Sequence, residues 1–576
     1  MSRLADHPTS RWQISRTPVR STNGVVGAKN AHAVDASLAM LAQGGNAIDA
    51  AVATAFAIGV VEPWMNGLGG GGFMVIWLAK EQRSLVIEYP MISPIAAHPE
   101  LFPLSGGVDS GLFGWPSVVD NANVLGYRSI AVPGTVAGLA LALEKYGTLP
   151  LATVLAPAIA LADDGVPVTW HTTLMQARDL GNLQKFPETA RVYLDAQGNP
   201  LTTADQGNPT IFRNPDLAQT LRTIAEHGAQ AFYQGEIAAK IVSHLQEHGA
   251  ILTVDDLAGY EALDAPTIRT PYRDHVVHTI GKGTGGTSLA QSLTLLNQVD
   301  LGSHSHNSPE AIHLLAQAFR QAFADRFAYL ADPDAVEVPI DALLSEDYAR
   351  EQVARWGEDH PAPIAAGSKD RLGVTHDLAG SVPEYSRDGS TTHLGAIDAE
   401  GNAVSITQTL LSLWGSRVVV PGTGILLNNG MMWFDPEPGR PNSVGSRKRP
   451  LTNMTPALVT KDDTIVASVG SSGGRKIMNA NAQLITNLVD FGLGMHDALE
   501  APRIDASTRN LVVSARLPQE TIARLTDLGY DLIVRDETQF AGDFASPVAI
   551  ARDADGTLEG AADPFYAPAS VGAPED

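Results

Sequence analysis

The sequence predicts a large α/β protein, and three observations support that class. At 576 residues the chain exceeds the length at which a single hydrophobic core usually stops growing. A large multilayer domain or two domains is therefore expected. Apolar residues recur at helical spacing in some segments and alternate with polar residues in others. Hydrophobic residues make up 44% of the chain without forming a run long enough to cross a bilayer, which predicts a sizeable core and no membrane partner.

The first regular elements form a predicted helical hairpin followed by a strand. "HAVDASLAMLAQGGNAIDAAVATAFAIGVVEP" carries two helical runs, separated by Gly44, Gly45 and Asn46 as stop and cap residues. "GLGGGGFMVIWLA" then reads as a glycine loop that leads into a strand. Further helices are predicted at 133–145, 150–164, 215–228, 236–248, 287–298 and 309–331. Further strands are predicted at 274–280, 391–398, 403–410, 456–459, 464–469 and 511–514.

Composition marks a tail at the start of the chain and one long irregular segment within it. Residues 1–22 are polar and unpatterned, which predicts a tail. Residues 356–390 carry Pro, Gly and charge with little periodicity, as a functional or disordered loop does. We find no internal repeat.

Charge and cysteine content exclude several classes of function. Lys plus Arg is 39 against 63 for Asp plus Glu, and this net charge of −24 repels nucleic acids and anionic lipid surfaces. Cysteine is absent, so thiolate catalysis and Cys-ligated zinc are excluded. The first residues lack the apolar segment of a secretory signal, so the cytoplasm is the expected location.

The nucleotide-binding spacing G-x-G-x-x-G occurs twice, at 67–72 and at 281–286. The first copy stands between a helix and a strand, which is the wrong order for a dinucleotide site. The second has the right order, but no second strand follows its helix. We therefore favour glycine loops that allow close backbone approach over an NAD site, and we expect no cofactor.

A hairpin with threonines on facing strands is predicted in "DGSTTHLGAIDAEGNAVSITQTL", residues 388–410. Gly401 suits the left-handed position of a three-residue loop. If Asp398 pairs with Asn402, Thr391 lies opposite Thr409, within hydrogen-bonding reach of its hydroxyl. The alternative is that threonines simply suit a pleated strand.

The chemistry of threonine offers a second interpretation of this hairpin. A Thr hydroxyl becomes a nucleophile when the free α-amino group of an N-terminal Thr acts as its base. Self-cleavage of the Ser390–Thr391 bond would create that group. Backbone N–H groups of Gly473 and Gly474, in "SVGSSGGRKI", are candidates to stabilise an oxyanion, although a plain tight turn explains the same glycines.

Taken together, these motifs resemble the γ-glutamyltransferases, N-terminal-nucleophile hydrolases made as precursors that cut themselves into two subunits. The resemblance runs from about Asn23 to Tyr566. It is carried by "GGNAIDAAVATAFAIGVVEP", "GLGGGGF", "VPGTVAGL", "DDLAGY", "FADRFAYLADPD", "TTHLGAIDAEGNAVSITQTL", "PGTGILLNN", "RPLTNMTPALV" and "GSSGG".

The resemblance implies a four-layer αββα sandwich and assigns roles to the residues above. Thr391 is the implied nucleophile, Thr409 its hydroxyl partner, and Gly473 with Gly474 the implied oxyanion hole. Segments 23–390 and 391–576 are then the two fragments, expected to stay associated around one core, and a homodimer of that pair is one open oligomeric state.

The chain departs from the family at the positions that would hold a γ-glutamyl group. No basic residue stands between Arg83 and Arg128, where the family has the arginine that grips the substrate carboxylate. The other positions that match the family's substrate-binding residues are occupied here by Leu411, Gly430, Trp433, Thr452 and Asn453. The loss of charge-assisted hydrogen bonds, each ~1.5–3 kcal/mol, disfavours a γ-glutamyl substrate unless a cation such as Arg447 or Arg475 replaces the clamp.

We therefore predict an amidohydrolase that acts on a small non-γ-glutamyl acyl amide through an acyl-enzyme, with no metal in its site. One alternative is a true γ-glutamyl hydrolase or transpeptidase. Another is an unprocessed, inactive homologue that acts as a binding protein.

Overall fold

The computed structural model describes residues 14–109, 111, 113–203, 208–375, 389–539 and 542–575. Much of the predicted loop 356–390, from 376 to 388, lies outside these ranges. The α-helices are α1 Ala31–Ala42, α2 Ala47–Val61, α3 Thr135–Tyr146, α4 Leu151–Asp164, α5 Trp170–Arg178, α6 Leu180–Leu183, α7 Pro187–Tyr193, α8 Pro215–His227, α9 Gln230–Tyr233, α10 Glu236–Glu247, α11 Val254–Ala258, α12 Gly285–Leu296, α13 Pro309–Tyr329, α14 Ile340–Leu343, α15 Glu346–Val353, α16 Lys369–Leu372, α17 Lys476–Val489, α18 Met495–Glu500 and α19 Gln519–Asp527. Among these described helices, none combines the length and the apolarity that crossing a bilayer requires.

The strands are distributed along the whole described chain. They are β1 Val19–Ser21, β2 Gly24–Ala28, β3 Gly71–Leu78, β4 Arg83–Tyr89, β5 Leu104–Val108, β6 Pro116–Val118, β7 Val166–Pro167, β8 Ile211–Phe212, β9 Leu263–Ala265, β10 Ile268–Tyr272, β11 His275–Thr279, β12 Thr392–Asp398, β13 Ala403–Thr409, β14 Val419–Val420, β15 Ile425–Leu426, β16 Ala457–Lys461, β17 Thr464–Ser472, β18 Ile504–Asp505, β19 Leu511–Ser514, β20 Leu532–Arg535, β21 Ser546–Arg552, β22 Leu558–Ala562 and β23 Ser570–Gly572.

Two seven-stranded antiparallel sheets form the centre of the molecule. The first sheet has the order β23-β2-β12-β13-β3-β4-β9, and the second has the order β1-β22-β21-β17-β16-β11-β10. The sheets pack face to face, mainly through β12 and β13 against β17. Helices α1 to α4 lie on the outer side of the first sheet, and α12, α13, α17 and α18 lie on that of the second. The αββα sandwich implied by the resemblance is confirmed.

Three apolar clusters correspond to the three interfaces between these layers. Val75 on β3 and Leu458 on β16 belong to the cluster between the two sheets. Large clusters on the outer faces join each sheet to its helices, so both faces of both sheets are buried. This explains why β3, with the sequence GGFMVIWL, is a nearly continuous apolar run, in contrast to the alternating pattern of a half-exposed strand.

The predicted helical hairpin is confirmed as α1 and α2. Asn46 caps α2, accepting hydrogen bonds from the backbone of Ile48 and Asp49, and the Asp49 carboxylate in turn accepts from the Asn46 backbone. This reciprocal capping satisfies donors that would otherwise be orphaned at a buried helix start.

The hairpin of β12 and β13 has the predicted register. Thr392 lies opposite Gln408 and His393 opposite Thr407, as pairing of Asp398 with Asn402 requires. Gly401 has a φ of 86°, the left-handed value predicted for it. The Asp398 carboxylate also accepts from the backbone of Ala47, which fixes the turn against the start of α2.

The two G-x-G-x-x-G segments are close-packing loops, as favoured from the sequence. A Cβ atom on Gly70 would come within 2.4 Å of the carbonyl oxygen of Thr409. A Cβ atom on Gly283 would come within 1.7 Å of the carbonyl oxygen of Ala331. Each glycine permits a backbone approach that no side chain would allow.

Candidate functional site

Thr391 lies immediately before β12, at the end of a strand in the centre of its sheet. Its side chain is buried, and its hydroxyl donates a hydrogen bond of 2.5 Å to the carbonyl oxygen of Ser390. That carbonyl belongs to the peptide bond whose cleavage would make Thr391 an N-terminus. The candidate nucleophile is therefore in direct contact with the group that it would attack.

Thr409 donates to the same oxygen. The Thr409 hydroxyl is 2.7 Å from the carbonyl oxygen of Ser390 and accepts a hydrogen bond of 2.8 Å from the backbone N–H of Leu411. Because Leu411 supplies the donor on one side, the Thr409 proton points at the Ser390 carbonyl. The sequence predicted contact between the two threonine hydroxyls, whereas in the uncut chain both converge on one acceptor.

The residues before the scissile bond are also held by the body of the protein. The Ser390 hydroxyl donates to the carbonyl oxygen of Trp64 at 3.2 Å and contacts the sulfur of Met65 at 3.0 Å. A Cβ atom on Gly389 would lie 2.7 Å from the carbonyl carbon of Gly473 and 2.9 Å from the backbone nitrogen of Gly474. The chain approaching Thr391 thus rests directly on the predicted oxyanion hole.

Gly473 and Gly474 connect β17 to the start of α17. They have φ values of 140° and 64°, which residues with a side chain rarely adopt. The N-terminus of α17 carries the partial positive charge of the helix dipole, which favours an oxyanion at this end. The structure therefore places Thr391 and Thr409 around the Ser390 carbonyl, and Gly473 and Gly474 beside the preceding Gly389.

A cavity of about 100 Å³ opens beside these residues. It is lined by Thr391, Gly389 and Gly473 on one side and by charged and aromatic side chains on the other. The latter include Arg178 on α5, the buried Arg503 and Tyr566. A small leaving group at Thr391 would contact polar and charged side chains on this side of the cavity.

A buried lysine supports the strand next to Gly473, and sequence reasoning did not identify it. The Lys29 ammonium donates to the backbone oxygen of Ser546 at 2.5 Å and to its hydroxyl, and lies 4.9 Å from the centroid of the Tyr566 ring. Ser546 pairs with Ser472, the residue that precedes Gly473. Burial lowers the pKa of Lys29 to about 7. In the sequence, the only sign of this buried role is that Lys29 directly follows the apolar segment "GVVGA".

Glu62 is a second buried ionisable group near this cavity. Its carboxylate accepts a hydrogen bond of 3.3 Å from the Tyr566 hydroxyl, and burial raises the pKa of Glu62 to about 8. The Lys29 charge opposes that rise. Burial thus shifts the pKa values of Lys29 and Glu62 toward neutral pH, with Lys29 over the Tyr566 ring and Glu62 at its hydroxyl.

His393 is buried two residues after Thr391. Its Nδ1 atom lies 3.0 Å from the Thr407 hydroxyl, while Nε2 has no hydrogen-bond partner within the described residues. Burial lowers the pKa of His393 to about 3, with a further contribution from Lys29. The imidazole is neutral at physiological pH and packs against Gly470, where a Cβ atom would collide with the ring.

The predicted substrate-binding residues do not line the cavity beside Thr391. Leu411, Gly430 and Trp433 are buried, and Leu411 and Trp433 belong to the apolar cluster between the sheets. Leu411 has a φ of 91°, a strained value that turns its N–H toward Thr409. The backbone of Leu411, rather than its side chain, contacts the candidate site.

Thr452 and Asn453 form a separate group around a buried arginine. The Arg326 guanidinium donates to the backbone oxygen of Thr452 at 2.6 Å and to the side-chain oxygen of Asn453 at 2.8 Å. Burial lowers the pKa of Arg326 to about 9, and the nearby charge of Arg475 lowers it further. Arg447 instead donates to the backbone oxygen of Gly259 and lies at the surface. Arg326 was missed although it stands within "FADRFAYLADPD".

Comparison with known proteins places this geometry in context. A family model described as gamma-glutamyltranspeptidase matches residues 33–572. The chain is 33% identical to the glutathione hydrolase proenzyme of Escherichia coli (strain K12), over 95% of this chain and 91% of that protein. It is 34% identical to the acylase ACY 1 proenzyme of Pseudomonas sp. (strain SE83), over 96% of this chain and 94% of that protein. The crystal structure of cephalosporin acylase from Bacillus halodurans superposes with a TM-score of 0.83 at 28% identity, covering 99% of both chains.

Proposed function

The chain belongs to the gamma-glutamyltranspeptidase family, as an amidohydrolase, and from that premise we propose that it cuts itself before Thr391 and then uses Thr391 as its nucleophile. The observation that carries this proposal is the convergence of the Thr391 and Thr409 hydroxyls on the Ser390 carbonyl oxygen. The word proenzyme in the names of both relatives supports processing.

Processing begins with attack of the Thr391 oxygen on the carbonyl carbon of Ser390. The resulting oxyanion receives the hydrogen bond of Thr409, already directed at that oxygen. Collapse breaks the peptide C–N bond and leaves an ester between Ser390 and the Thr391 oxygen. The proton that the Thr391 hydroxyl loses on attack passes to the departing nitrogen, which becomes a free amine. Water then hydrolyses the ester, releasing a carboxylate on Ser390 and regenerating the Thr391 hydroxyl.

Cleavage changes the partners of both threonines. The new α-amino group of Thr391 becomes the base for its own hydroxyl. The Ser390 carbonyl departs, so Thr409 loses the acceptor that it holds in the uncut chain and becomes available to the Thr391 oxygen. Gly389 also leaves its contact with Gly473 and Gly474, which exposes their N–H groups to a substrate oxyanion.

The mature reaction is amide hydrolysis through an acyl-enzyme. The Thr391 oxygen attacks the amide carbon, the α-amino group takes its proton and passes it to the leaving amine, and water releases the acid. The cavity lined by Arg178 and Tyr566 accepts the leaving amine. Neither step requires a cofactor.

We propose that the acyl group is not γ-glutamyl. Its α-carboxylate and α-ammonium would need charged partners, because desolvation costs several kcal/mol per ion. Leu411 and Trp433, which stand at two of the matching positions, lie in an apolar cluster. A panel of amides with Thr391→Ala as the blank tests this proposal, and a small uncharged acyl amide is expected to be the best substrate.

A γ-glutamyl hydrolase is the second candidate, and one observation favours it. Arg475 is buried directly after Gly474, close enough to Arg326 to affect its pKa, and Arg326 holds Asn453. These two neighbouring guanidinium groups supply positive charge that a substrate carboxylate could use. A γ-glutamyl compound as the best member of the panel would establish this candidate instead.

A further inference from the structure

We propose that His244, Glu247 and His248 form a surface binding site for a divalent transition metal ion of the zinc class. The first two residues lie in the last turn of α10, and His248 caps its end. One ligand atom from each residue lies within 4.8 Å of the corresponding atoms of the other two. Small changes of side-chain rotamer would bring these three ligand atoms around one ion.

The positions follow from helical geometry. Residues three and four apart on a helix lie on the same face, so His244 presents its ring beside both Glu247 and His248. The C-terminal end of α10 carries the partial negative charge of the helix dipole, which favours a cation there. The pattern H-x-x-E-H at 244–248 gives the three residues this spacing, although from the sequence we predicted no metal in the catalytic site.

Hydrogen bonds outside the cluster orient two of the three ligands. His248 Nδ1 lies 2.8 Å from the backbone oxygen of His244, so a proton on Nδ1 leaves the lone pair of Nε2 for the ion. The Ser243 hydroxyl donates to Oε1 of Glu247 at 3.0 Å and leaves Oε2 available. Bonds of this kind fix ligand orientation at established metal sites.

The ring of Tyr127 restrains both imidazoles. It stacks on His248 with centroids 4.1 Å apart and planes 11° apart, and it meets His244 edge-on at 5.5 Å. The two histidine rings are themselves 4.8 Å apart. Rings held in this way lose less conformational freedom when they bind an ion.

Two imidazoles and one carboxylate are a donor set that Zn²⁺ accepts, with water in the fourth position. The same H-x-x-E-H spacing occurs in a class of zinc peptidases. Here the Glu247 oxygen lies within the ligand group and both Glu247 and His248 are exposed, so we assign the site to metal binding and local stabilisation of α10, without a hydrolytic role.

Zinc titration of the full chain by calorimetry, after treatment with a chelator, tests the site. We expect about one equivalent of Zn²⁺ to bind, and the double variant His244→Ala/His248→Ala to weaken its affinity at least ~100-fold. Ser243→Ala should weaken binding ~10-fold, because it removes only the hydrogen bond that orients Glu247. His98→Ala is the matched control, since His98 is an exposed histidine beside Glu100 that belongs to no such cluster among the residues that the structure describes.

Thermal unfolding with and without zinc gives a second readout that does not depend on catalysis. Zinc should raise the unfolding temperature of the unmodified chain and of His98→Ala, but not that of the double variant. Equal zinc affinity in the double variant, or no binding by the unmodified chain at micromolar concentrations, would overturn the assignment. Neither outcome bears on the proposed amide hydrolysis.

Discussion

The hydroxyl of Thr409 donates a hydrogen bond of 2.7 Å to the carbonyl oxygen of Ser390, although the two residues are far apart in the chain. The backbone N–H of Leu411 occupies the other side of that hydroxyl, so its direction is fixed. A donor that already points at a carbonyl oxygen stabilises the oxyanion that forms there, and the protein does not have to reorganise. This arrangement supports the proposed cleavage before Thr391.

Thr409→Val should slow self-cleavage at least ~100-fold, the effect of removing one oxyanion donor. The fragment ratio, followed by gel electrophoresis over time, measures the rate. Thr392→Val is the matched control, because the Thr392 hydroxyl is buried with no hydrogen-bond partner within the described residues. It should leave the rate unchanged and stabilise the fold by up to ~1 kcal/mol. Equal rates in both variants would remove Thr409 from the reaction.

The purified chain should separate into fragments 1–390 and 391–576, identified by mass spectrometry under denaturing conditions. The two fragments should elute together in native gel filtration, because they share both sheets. Thr391→Ala should remain a single inactive chain. An uncut protein that keeps its amidase activity after Thr391→Ala would refute the assignment of the nucleophile.

Gly389→Ala should block or strongly delay cleavage. Its methyl group would come within 2.7 Å of the carbonyl carbon of Gly473, so the scissile segment could not lie on the Gly473–Gly474 peptide. Gly181→Ala, in α6 with no atom within 4 Å of the added methyl group, is the control and should cleave normally. Normal processing of Gly389→Ala would mean that this contact is not required.

A γ-glutamyl anilide should be hydrolysed at least ~100-fold less efficiently than the best simple acyl amide, a difference of ~2.7 kcal/mol in transition-state stabilisation. The physical reason is that Leu411 and Trp433 offer no charged partner to the amino acid group. Values of kcat/KM for γ-glutamyl, glutaryl, oxamyl and acetyl amides measure the preference. A high value for glutaryl together with a low value for γ-glutamyl would indicate that Arg475 binds a terminal carboxylate.

Glu62→Gln should stabilise the protein increasingly as pH rises from 5 to 7. Burial raises the pKa of Glu62 from 4.5 to about 8, so the folded state keeps a proton that the unfolded state has lost. Stability is therefore lost as pH rises through this window, by at most ~1.4 kcal/mol per pH unit, and the neutral amide avoids that loss. Burial lowers the pKa of Lys29, which faces the same Tyr566 ring, to about 7, so Lys29 changes charge at the upper end of this range in the folded protein.

The difference in thermal unfolding midpoint between Glu62→Gln and the unmodified chain, measured at pH 5, 6 and 7, tests this prediction. It should widen at each step. The exposed Glu100 gives a control, because Glu100→Gln should show a constant difference. A constant difference for Glu62→Gln as well would show that its carboxyl group is not protonated in the folded protein.

Local patterns in the sequence were sufficient for the elements that depend on neighbours in the chain. The Gly-Gly-Asn break between α1 and α2 and the Asp398–Asn402 turn are fixed by caps and turn residues, so their positions could be predicted. The same turn set the register of β12 and β13 and thereby placed Thr391 near Thr409. The proposed nucleophile Thr391 and its proposed partner Thr409 rest on that hairpin together with the resemblance to the γ-glutamyltransferases.

Features that depend on distant contacts could not be predicted in the same way. Helix α17 was missed because its asparagines are poor helix formers, yet Asn481 bonds to Thr455 and Ser471, and Asn479 bonds to Asp505. Lys29 reaches Ser546 from the opposite end of the chain, so no local pattern could reveal their contact. The charged side chains that line the cavity beside Thr391 could not be predicted either, because they come from segments that are distant in the sequence.

The order of strands in the two sheets has a consequence for how the protein is made. β12 and β13 lie between β2 and β3, and β16 pairs with β11, so segments from either side of the proposed cut alternate within each sheet. Two fragments produced from separate genes would have to insert strands into each other's incomplete sheets. They could not simply associate through surfaces that had already folded. The single precursor chain thus serves as its own assembly template, and fragments once unfolded should not regain activity on mixing.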